Sequence, residues 1–329
     1  MATEQNPVAR YLDIIHNPDG STATEALGAE IHERFGDALS GIIFYGSVLH
    51  GLAEKDDALH DMLVVVTDYT SAFPKWSQRL ANWILPPNVF YLETEHEGRE
   101  YRCKYAVVSI RDFDRYTKMR CRQVYFWGRY CQPTSVTYSK DGETQRELTR
   151  IRAQAVTTFA RRTMALRNPA FTVSEFWVGG LSACYGCELR PEDTDRAERI
   201  VGQSKEYYRT MALLALSIIG APVIDAREED AVFHNPSKGL IKQIARWGWK
   251  RRKFEGKILN LLRLMKAVFT FDGGVDYALW KIGRHSGIEV QVSDRVRKHP
   301  LLFGWPTFWR LWRQGVFSKQ DRKEPTPHE

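Results

Sequence analysis

The chain has 329 residues, 43% hydrophobic and 26% charged, which excludes a disordered or fibrous protein and predicts two or three domains with sizeable cores. Lys and Arg number 47 against 40 Asp and Glu, and the net +7 suits a phosphate-bearing partner: a nucleotide, a nucleic acid or an anionic membrane. The 5 cysteines are too few and odd in number for a disulfide scaffold, the N-terminal MATEQNPVARYLD lacks the apolar stretch of a secretory signal, and the longest apolar run, roughly Met211 to Ile224, is too short for a membrane span.

Residues 1–38 read as largely helical, with Ala26, Ile31 and Phe35 on one face and Gly36-Asp37 as the break. Gly41 to Tyr45 is a short apolar run that predicts a buried strand ending in the turn Gly46-Ser47. A polar loop over 51–60 leads to a second strand, Met62 to Val66, rich in β-branched residues. Trp76 to Trp83 predicts a helix stopped by Pro86-Pro87. Val89 to Glu93 and Lys104 to Ile110 predict two more strands joined through a turn at Glu97-Gly98, followed by a helix over Asp112 to Gly128. Beyond about residue 145 the strand signal fades, and Leu148–Ala165, Val173–Cys184, Arg196–Ile219 and Lys257–Thr270 carry helical spacing. Turn-rich stretches at Thr137–Gly142 and Asn235–Gly239 divide the chain into 1–142, 143–235 and 236–329. Ser318 to Glu329 reads as a frayed polar tail.

The sharpest local feature is Tyr45-Gly46-Ser47 between two predicted strands, with Asp61 opening the second. Nucleotidyl transfer needs backbone N–H groups and a hydroxyl to hold a triphosphate, and a carboxylate to hold Mg²⁺ against its oxygens. A glycine lets the backbone approach phosphate closely, and a strand gives the carboxylate a rigid mount. This is the pattern of the polymerase-β-like nucleotidyltransferase superfamily. By itself it is weak, because Gly-Ser is a common turn and an Asp opening a strand is often only a turn residue. The superfamily's second acid, two residues on, is replaced here by Leu63.

Further segments fall into a consistent order. After Tyr45-Gly46-Ser47 come the run Asp61 to Asp68, then Trp76 with Leu80, then Lys104-Tyr105-Ala106-Val107-Val108-Ser109. Gly128-Arg129 with Gln132-Pro133 follows, and then Leu181-Ser182 through Tyr185-Gly186 to Arg190, ahead of a helix over Arg196–Gln203. Over about residues 40–210 the chain resembles the mitochondrial-type CDP-diacylglycerol synthases, the mitochondrial translocator assembly and maintenance protein family, as a bacterial-looking member. Leu63 departs from the superfamily but not from this family. Ala106 stands for the family's Gly, Gln132 for its Lys, and Cys187-Glu188 for its Asp, with Glu188 the stand-in acid; the family's HYS segment before the third strand is missing.

The resemblance implies an α+β protein: a polymerase-β-like nucleotidyltransferase domain, a helical, winged-helix-like domain and a basic helical C-terminal segment facing the membrane. It implies a Mg²⁺-dependent cytidylyltransferase of phospholipid biosynthesis, making CDP-diacylglycerol and pyrophosphate from CTP and phosphatidate. Asp61 would hold Mg²⁺, with Glu93 or Asp112 as a second ligand. Lys104 would stabilise charge on the transferring group, and Tyr45, Gly46, Ser47 and Arg129 would bind the nucleotide. Arg190 and Lys205 would meet the lipid phosphate, and outside the resemblance Lys281 to Gly287 reads as a phosphate-binding turn after a helix, which adds Arg284 as a lipid-phosphate contact. The expected setting is the cytoplasm, peripheral on the inner face of an anionic membrane, with no nucleic-acid partner.

Other readings stay open. The acceptor could be a sphingoid lipid phosphate, an RNA or a small alcohol, although a hydroxyl acceptor needs activation that a phosphate does not. The chain could also be a non-catalytic membrane-bound relative. Cys184-Tyr185-Gly186-Cys187 has redox or zinc spacing but no second pair to complete four ligands. Basic residues mixed with Trp and Phe over 238–257 and 295–317 suit an interfacial surface.

Overall fold

The computed structural model describes residues 6–15, 20–49, 59–188, 194–225 and 230–270. Residues 1–264 group into one compact unit, and the chain from Met265 onward falls outside it. Two helices, α1 (Pro7–Ile14) and α2 (Thr22–Phe35), lead into β1 (Leu39–Tyr45). β2 (Leu59–Val66), α3 (Tyr69–Ala72), α4 (Trp76–Ile84), β3 (Asn88–His96) and β4 (Arg99–Ser109) follow. Then come α5 (Ile110–Thr117), α6 (Tyr125–Tyr130) and β5 (Ser135–Ser139).

These strands form a mixed 5-stranded sheet in the order β3-β4-β2-β1-β5. Only β2 and β4 run parallel, linked by the crossover through α3, α4 and β3; the other pairs are antiparallel. β1 is buried along its whole length because both sheet faces are covered, which is why its sequence reads as a continuous apolar run rather than an alternation. On one face Ile42, Phe44, Met62, Val64, Tyr105 and Val107 pack under α2. On the other Ile43, Tyr45, Leu63, Val65, Ala106 and Val108 join a larger core. The β3–β4 hairpin turns on Glu97 and Gly98, at φ 52° and 72°, the two-residue left-handed turn whose twist matches the strands.

α7 (Gly142–Thr163) follows, its start capped by Asp141, whose side chain accepts from Thr144 N–H. β6 (Ala170–Thr172), α8 (Val173–Tyr185), α9 (Thr194–Gln203) and α10 (Lys205–Ile218) come next. β7 (Val223–Asp225), β8 (Val232–His234) and α11 (Gly239–Thr270) complete the elements. α8 opens with a capping box between Thr172 and Glu175. Phe159 of α7 stacks on Trp177 of α8 at 4.7 Å, and Gly180 leaves room for that ring, since a Cβ there would lie 2.4 Å from it. The larger core runs without a break from α1 through the sheet to α10.

The α+β class holds. The single helix expected over Asp112–Gly128 is two, α5 and α6. Thr117 turns its hydroxyl back onto the carbonyls of Phe113 and Asp114, and Lys118 is extended at φ −69°, ψ 152°. The helix expected over Arg196–Ile219 breaks at Ser204, at φ −125°, ψ 43°. Strands persist past residue 145: β6, β8 and β7 form a second, 3-stranded sheet. β5 occupies part of the stretch that reads as turns at Thr137–Gly142, where Tyr138 and Ser139 pair with Ile42 and Gly41. Among the described residues no helix is long and apolar enough to cross a membrane.

Candidate functional site

The sheet register assembles the site. Tyr45 pairs with Asp61, Asp61 with Lys104, and Lys104 with Tyr91, so the four lie in one row across β1, β2, β4 and β3. Directly opposed residues share a face. Parity with Ile43, Leu63 and Ala106 puts the row on the face of the larger core, at the end where β1 leaves the sheet. Lys104 Nζ lies 3.3 Å from Asp61 Oδ1. The Asp61 charge holds the Lys104 ammonium above its ordinary pKa.

The turn after β1 is built around that carboxylate. Gly46 sits at φ 93°, a left-handed conformation that favours glycine. A Cβ there would fall 2.7 Å from Asp61 Oδ2 and 3.1 Å from Asp61 Cβ. The Gly46 backbone therefore lies directly against the carboxylate, and any side chain would obstruct it. Ser47 follows in the turn, half-buried. Tyr45 is buried in the core, its ring edge-on to Tyr130 at 5.4 Å, so it packs beneath the turn. Burial drives its hydroxyl pKa far up.

α6 brings a second cation. Arg129 Nη2 donates to Glu188 Oε1 at 2.6 Å, and its guanidinium lies 4.1 Å from the centre of the Tyr125 ring. Its Nη1 is buried with no hydrogen-bond partner among the described residues. Burial opposes the Arg129 charge, but Glu188 and the surrounding tyrosines outweigh it and hold the pKa high. Lys104 senses both Tyr125 and Arg129, which ties this group to the Asp61 row. Glu188, the stand-in acid, thus serves as the partner of Arg129.

Two further residues join from α11 and the loop before α6. Arg263 lies 4.7 Å from the Tyr125 ring centre and forms no ion pair among the described residues; it donates to Pro86 O at 3.1 Å and Gln123 Oε1 at 2.7 Å. A narrow cleft opens there, lined by Gln123, Tyr125, Cys187, Glu188, Asn260 and Arg263. Gly256 allows α11 to approach, since a Cβ at that position would lie 2.6 Å from Cys187 O. No local signal in the sequence points to Tyr125 or Arg263, because both act through long-range contacts.

Asp61 is the only one of the expected acids in the row. Asp112 caps the far end of the sheet, accepting from Tyr69 Oη at 2.7 Å and pairing with Arg115 at 3.0 Å. Asp61 and Val66, which pairs with Ser109 just before α5, are five strand steps apart, about 16 Å. Glu93 lies two positions along from the row on β3, accepts from Tyr91 Oη at 2.8 Å and lies 3.6 Å from Arg102. Among the described residues no three His, Cys, Asp or Glu side chains cluster as a metal site. The donor set is one carboxylate left open by Gly46. That fits Mg²⁺, which is commonly held by one or two carboxylates together with substrate phosphates.

Lys205 opens α10, exposed, and no hydrogen bond or ion pair joins it to the Asp61 group. Arg190 and Arg284 lie outside the described residues. Cys184 and Cys187 are buried free thiols; burial pushes both pKa values up, Cys187 to about 11, so neither is a thiolate at neutral pH.

No protein-family model matches the sequence, and no curated protein matches it. Among solved structures, a nucleotidyltransferase-like protein from Exiguobacterium sibiricum 255-15 aligns over 89% of this chain and 91% of its own, at 12% identity and a TM-score of 0.25. A likeness that slight leaves the reading to the residues themselves.

Proposed function

We propose that this protein is a nucleotidyltransferase that moves a cytidylyl group from CTP to a lipid phosphate, phosphatidate, giving CDP-diacylglycerol and pyrophosphate. The observation that carries the reading is the Asp61–Lys104 pair set against the bare backbone of Gly46. Backbone N–H groups of the Gly46-Ser47 turn and the Ser47 hydroxyl would hold the β- and γ-phosphates. When bound, Mg²⁺ would be held by Asp61 and the triphosphate oxygens and would supply charge neutralisation at the phosphates.

In the reaction an oxygen of the acceptor phosphate attacks the α-phosphorus in line, the bond to the β-phosphate oxygen breaks, and pyrophosphate leaves. Lys104, freed from Asp61, donates to the α-phosphoryl oxygens as charge develops on them. Arg129 keeps Glu188 on Nη2 and offers Nη1 to a phosphate oxygen. No general base is required, because a phosphate monoester is already largely ionised at neutral pH, its second pKa being about 6. A phosphate acceptor therefore asks for no acid at the row beyond Asp61, whereas a hydroxyl acceptor would need activation as well.

We place the protein on the cytoplasmic face of an anionic membrane. α4 turns Trp76, Leu80, Trp83 and Ile84 outward, at 72%, 42%, 69% and 64% exposure, a stripe with helical spacing. α11 likewise exposes Leu240, Ile244, Trp247, Phe254 and Ile258 among basic residues. Apolar stripes bordered by cations suit the boundary of anionic lipid.

The test is purified protein with Mg²⁺, α-labelled CTP and mixed micelles of phosphatidate, beside Asp61→Asn. Label passing to the lipid phase with wild type and not with the variant supports the reading. CTP binding without transfer points to another phosphate acceptor. No CTP binding rejects cytidylyl transfer.

A further inference from the structure

A second cluster of cations lies further back along α11, beside Cys187. α11 is basic along its length, but Arg252 is on its inner side, only 9% exposed, next to the buried Trp249. The Arg252 guanidinium lies 5.5 Å from the Trp249 ring centre, and Trp249 Nε1 donates to Arg162 O at 2.9 Å. Arg162, at the end of α7, reaches the 118–124 segment, where its Nη2 donates to Met119 O. Arg122 on that segment is close enough for its charge to oppose those of both Arg162 and Arg252.

Arg162 and Arg252 thus flank Trp249 where α11 packs on the end of α7 and the 118–124 segment, and Arg122, exposed on that segment, adds its charge from the solvent side. None of them forms an ion pair with a described acid. The Nε atoms of Arg162 and Arg252 are both buried with no hydrogen-bond partner among the described residues. Glu255, the one acid whose charge favours Arg252, is bonded to Arg251 at 2.5 Å on the same helix. Cys187, the other nearby group, is a protonated thiol. Burial, then the charges of Arg162 and Arg122, drive the Arg252 pKa down to about 10.

Arginines are rarely buried without a partner, because the protein must then give up their hydration for nothing. Removing Arg252 from water while crowding it with like charges makes sense when an anion completes the set. The donors are planar forks, which match the tetrahedral oxygens of a phosphate better than a single carboxylate. The cluster borders the cleft at Tyr125, since Cys187 is near both, but its cations are different ones: Arg263 lies eleven residues further along α11, about 16 Å along the helix axis.

We propose that Arg122, Arg162 and Arg252 form an anion site for a phosphate group, distinct from the Asp61–Lys104 row. The phosphate is either a soluble ion such as pyrophosphate or the headgroup of an anionic phospholipid. The inference does not depend on the catalytic reading.

The test uses the full chain as wild type, Asp61→Asn, Arg252→Met and Arg162→Met. Thermal unfolding is followed with sodium pyrophosphate against sodium chloride at matched ionic strength. Binding to phosphatidylcholine vesicles with and without phosphatidate is followed by co-sedimentation. With a soluble ligand, pyrophosphate at a hundredfold excess over its dissociation constant raises the midpoint of wild type and Asp61→Asn by roughly 5 °C or more, and that of Arg252→Met by less than a third as much. Without ligand, Arg252→Met unfolds no lower than wild type, since an unpaired cation has been replaced by an apolar side chain of similar length. With a headgroup ligand, pyrophosphate has no specific effect, and phosphatidate-dependent sedimentation of Asp61→Asn falls at least fivefold when Arg252→Met is added. If Arg252→Met does not fold, Arg162→Met is read in its place. Full retention of both responses in the folded variants overturns the proposal, as does the lack of any response in wild type.

Discussion

Replacing Gly46 by Ala tests the geometry on which the site rests, and it does so without any assay of catalysis. The added methyl carries two separate costs. The backbone at φ 93° is unfavourable for an L-residue, at about 1–2 kcal/mol. The methyl would also meet Asp61 Oδ2 at 2.7 Å, an overlap that must push the carboxylate or the turn aside, for about 1–3 kcal/mol more. Gly46→Ala is therefore expected to lower the unfolding free energy by about 2–5 kcal/mol. A double-mutant cycle separates the two parts. Asp61→Ala removes the oxygen at 2.7 Å and leaves only Cβ at 3.1 Å, which can give by a few tenths of an ångström. In that background Gly46→Ala should cost only the backbone strain, about 1–2 kcal/mol.

The assay is urea denaturation of the four proteins, with midpoints converted at a common slope. A coupling of at least about 1 kcal/mol, with the pair less destabilised than the sum of singles, is the expected result. Additivity within about 0.5 kcal/mol would refute the claim that the turn is shaped around the carboxylate. If the site also works as proposed, Gly46→Ala lowers the turnover of CTP by about a hundredfold or more, the usual consequence of misplacing a reacting group by an ångström.

Arg129→Met and Glu188→Gln should each cost about 1–3 kcal/mol, and the double variant less than their sum, because each single leaves a partly buried charged or polar partner unmatched. Lys104 should titrate lower in Asp61→Asn, as read by NMR of its ε-methylene. Because Asp61 raises its folded pKa, the pair stabilises the fold at pH values below the unfolded lysine pKa of about 10.4, and that contribution is lost as pH rises through the higher folded value. With Lys104 45% exposed, the effect on stability should stay under about 1 kcal/mol, and an unchanged titration would mean the pair does not form in solution. Gly256→Ala should destabilise by about 1–3 kcal/mol and make α11 the first element cut in limited proteolysis, since its Cβ would meet the Cys187 backbone. Trp76→Ser with Trp83→Ser should leave stability within about 0.5 kcal/mol and weaken binding to anionic vesicles several-fold, as both side chains are mainly exposed.

The parts of the fold that announce themselves in the sequence are those whose physics is local. β1 and β2 lie under helices on both faces, so their apolar runs are unbroken, and the hairpin at Glu97-Gly98 needs two left-handed residues that a Glu-Gly pair can supply. Asp61 and Lys104 could be singled out separately by their place in the chain. Their pairing depends on a parallel register that no local signal encodes. β6, β7 and β8 have three residues each, too few to show a period. Asp112 follows a strand and opens a helix, a place that suits a metal ligand, but its carboxylate is already engaged by Tyr69 and Arg115. Glu188 and Arg129 are 59 residues apart, and Arg263 and Gln123 are 140 apart.

α11 shows most clearly why composition misleads. Its run of cations and tryptophans reads as one interfacial surface. Successive residues on a helix turn by about 100°, however, so Trp247 and Trp249 face nearly opposite ways. Trp247 is 72% exposed, and Trp249 is 7% exposed and packs against Trp127. The same rotation divides the basic residues. Lys250 and Arg251 are exposed, whereas Arg252 and Arg263 turn toward the body of the protein. One helix therefore presents an apolar and basic face outward and a separate set of cations inward. A lipid phosphate has matching halves, an apolar body and an anionic head. Under the proposed function, this division gives α11 a physical reason to be close to the Asp61 row: it can meet the bilayer on one side while Arg263 extends the positive charge of Lys104 and Arg129 on the other.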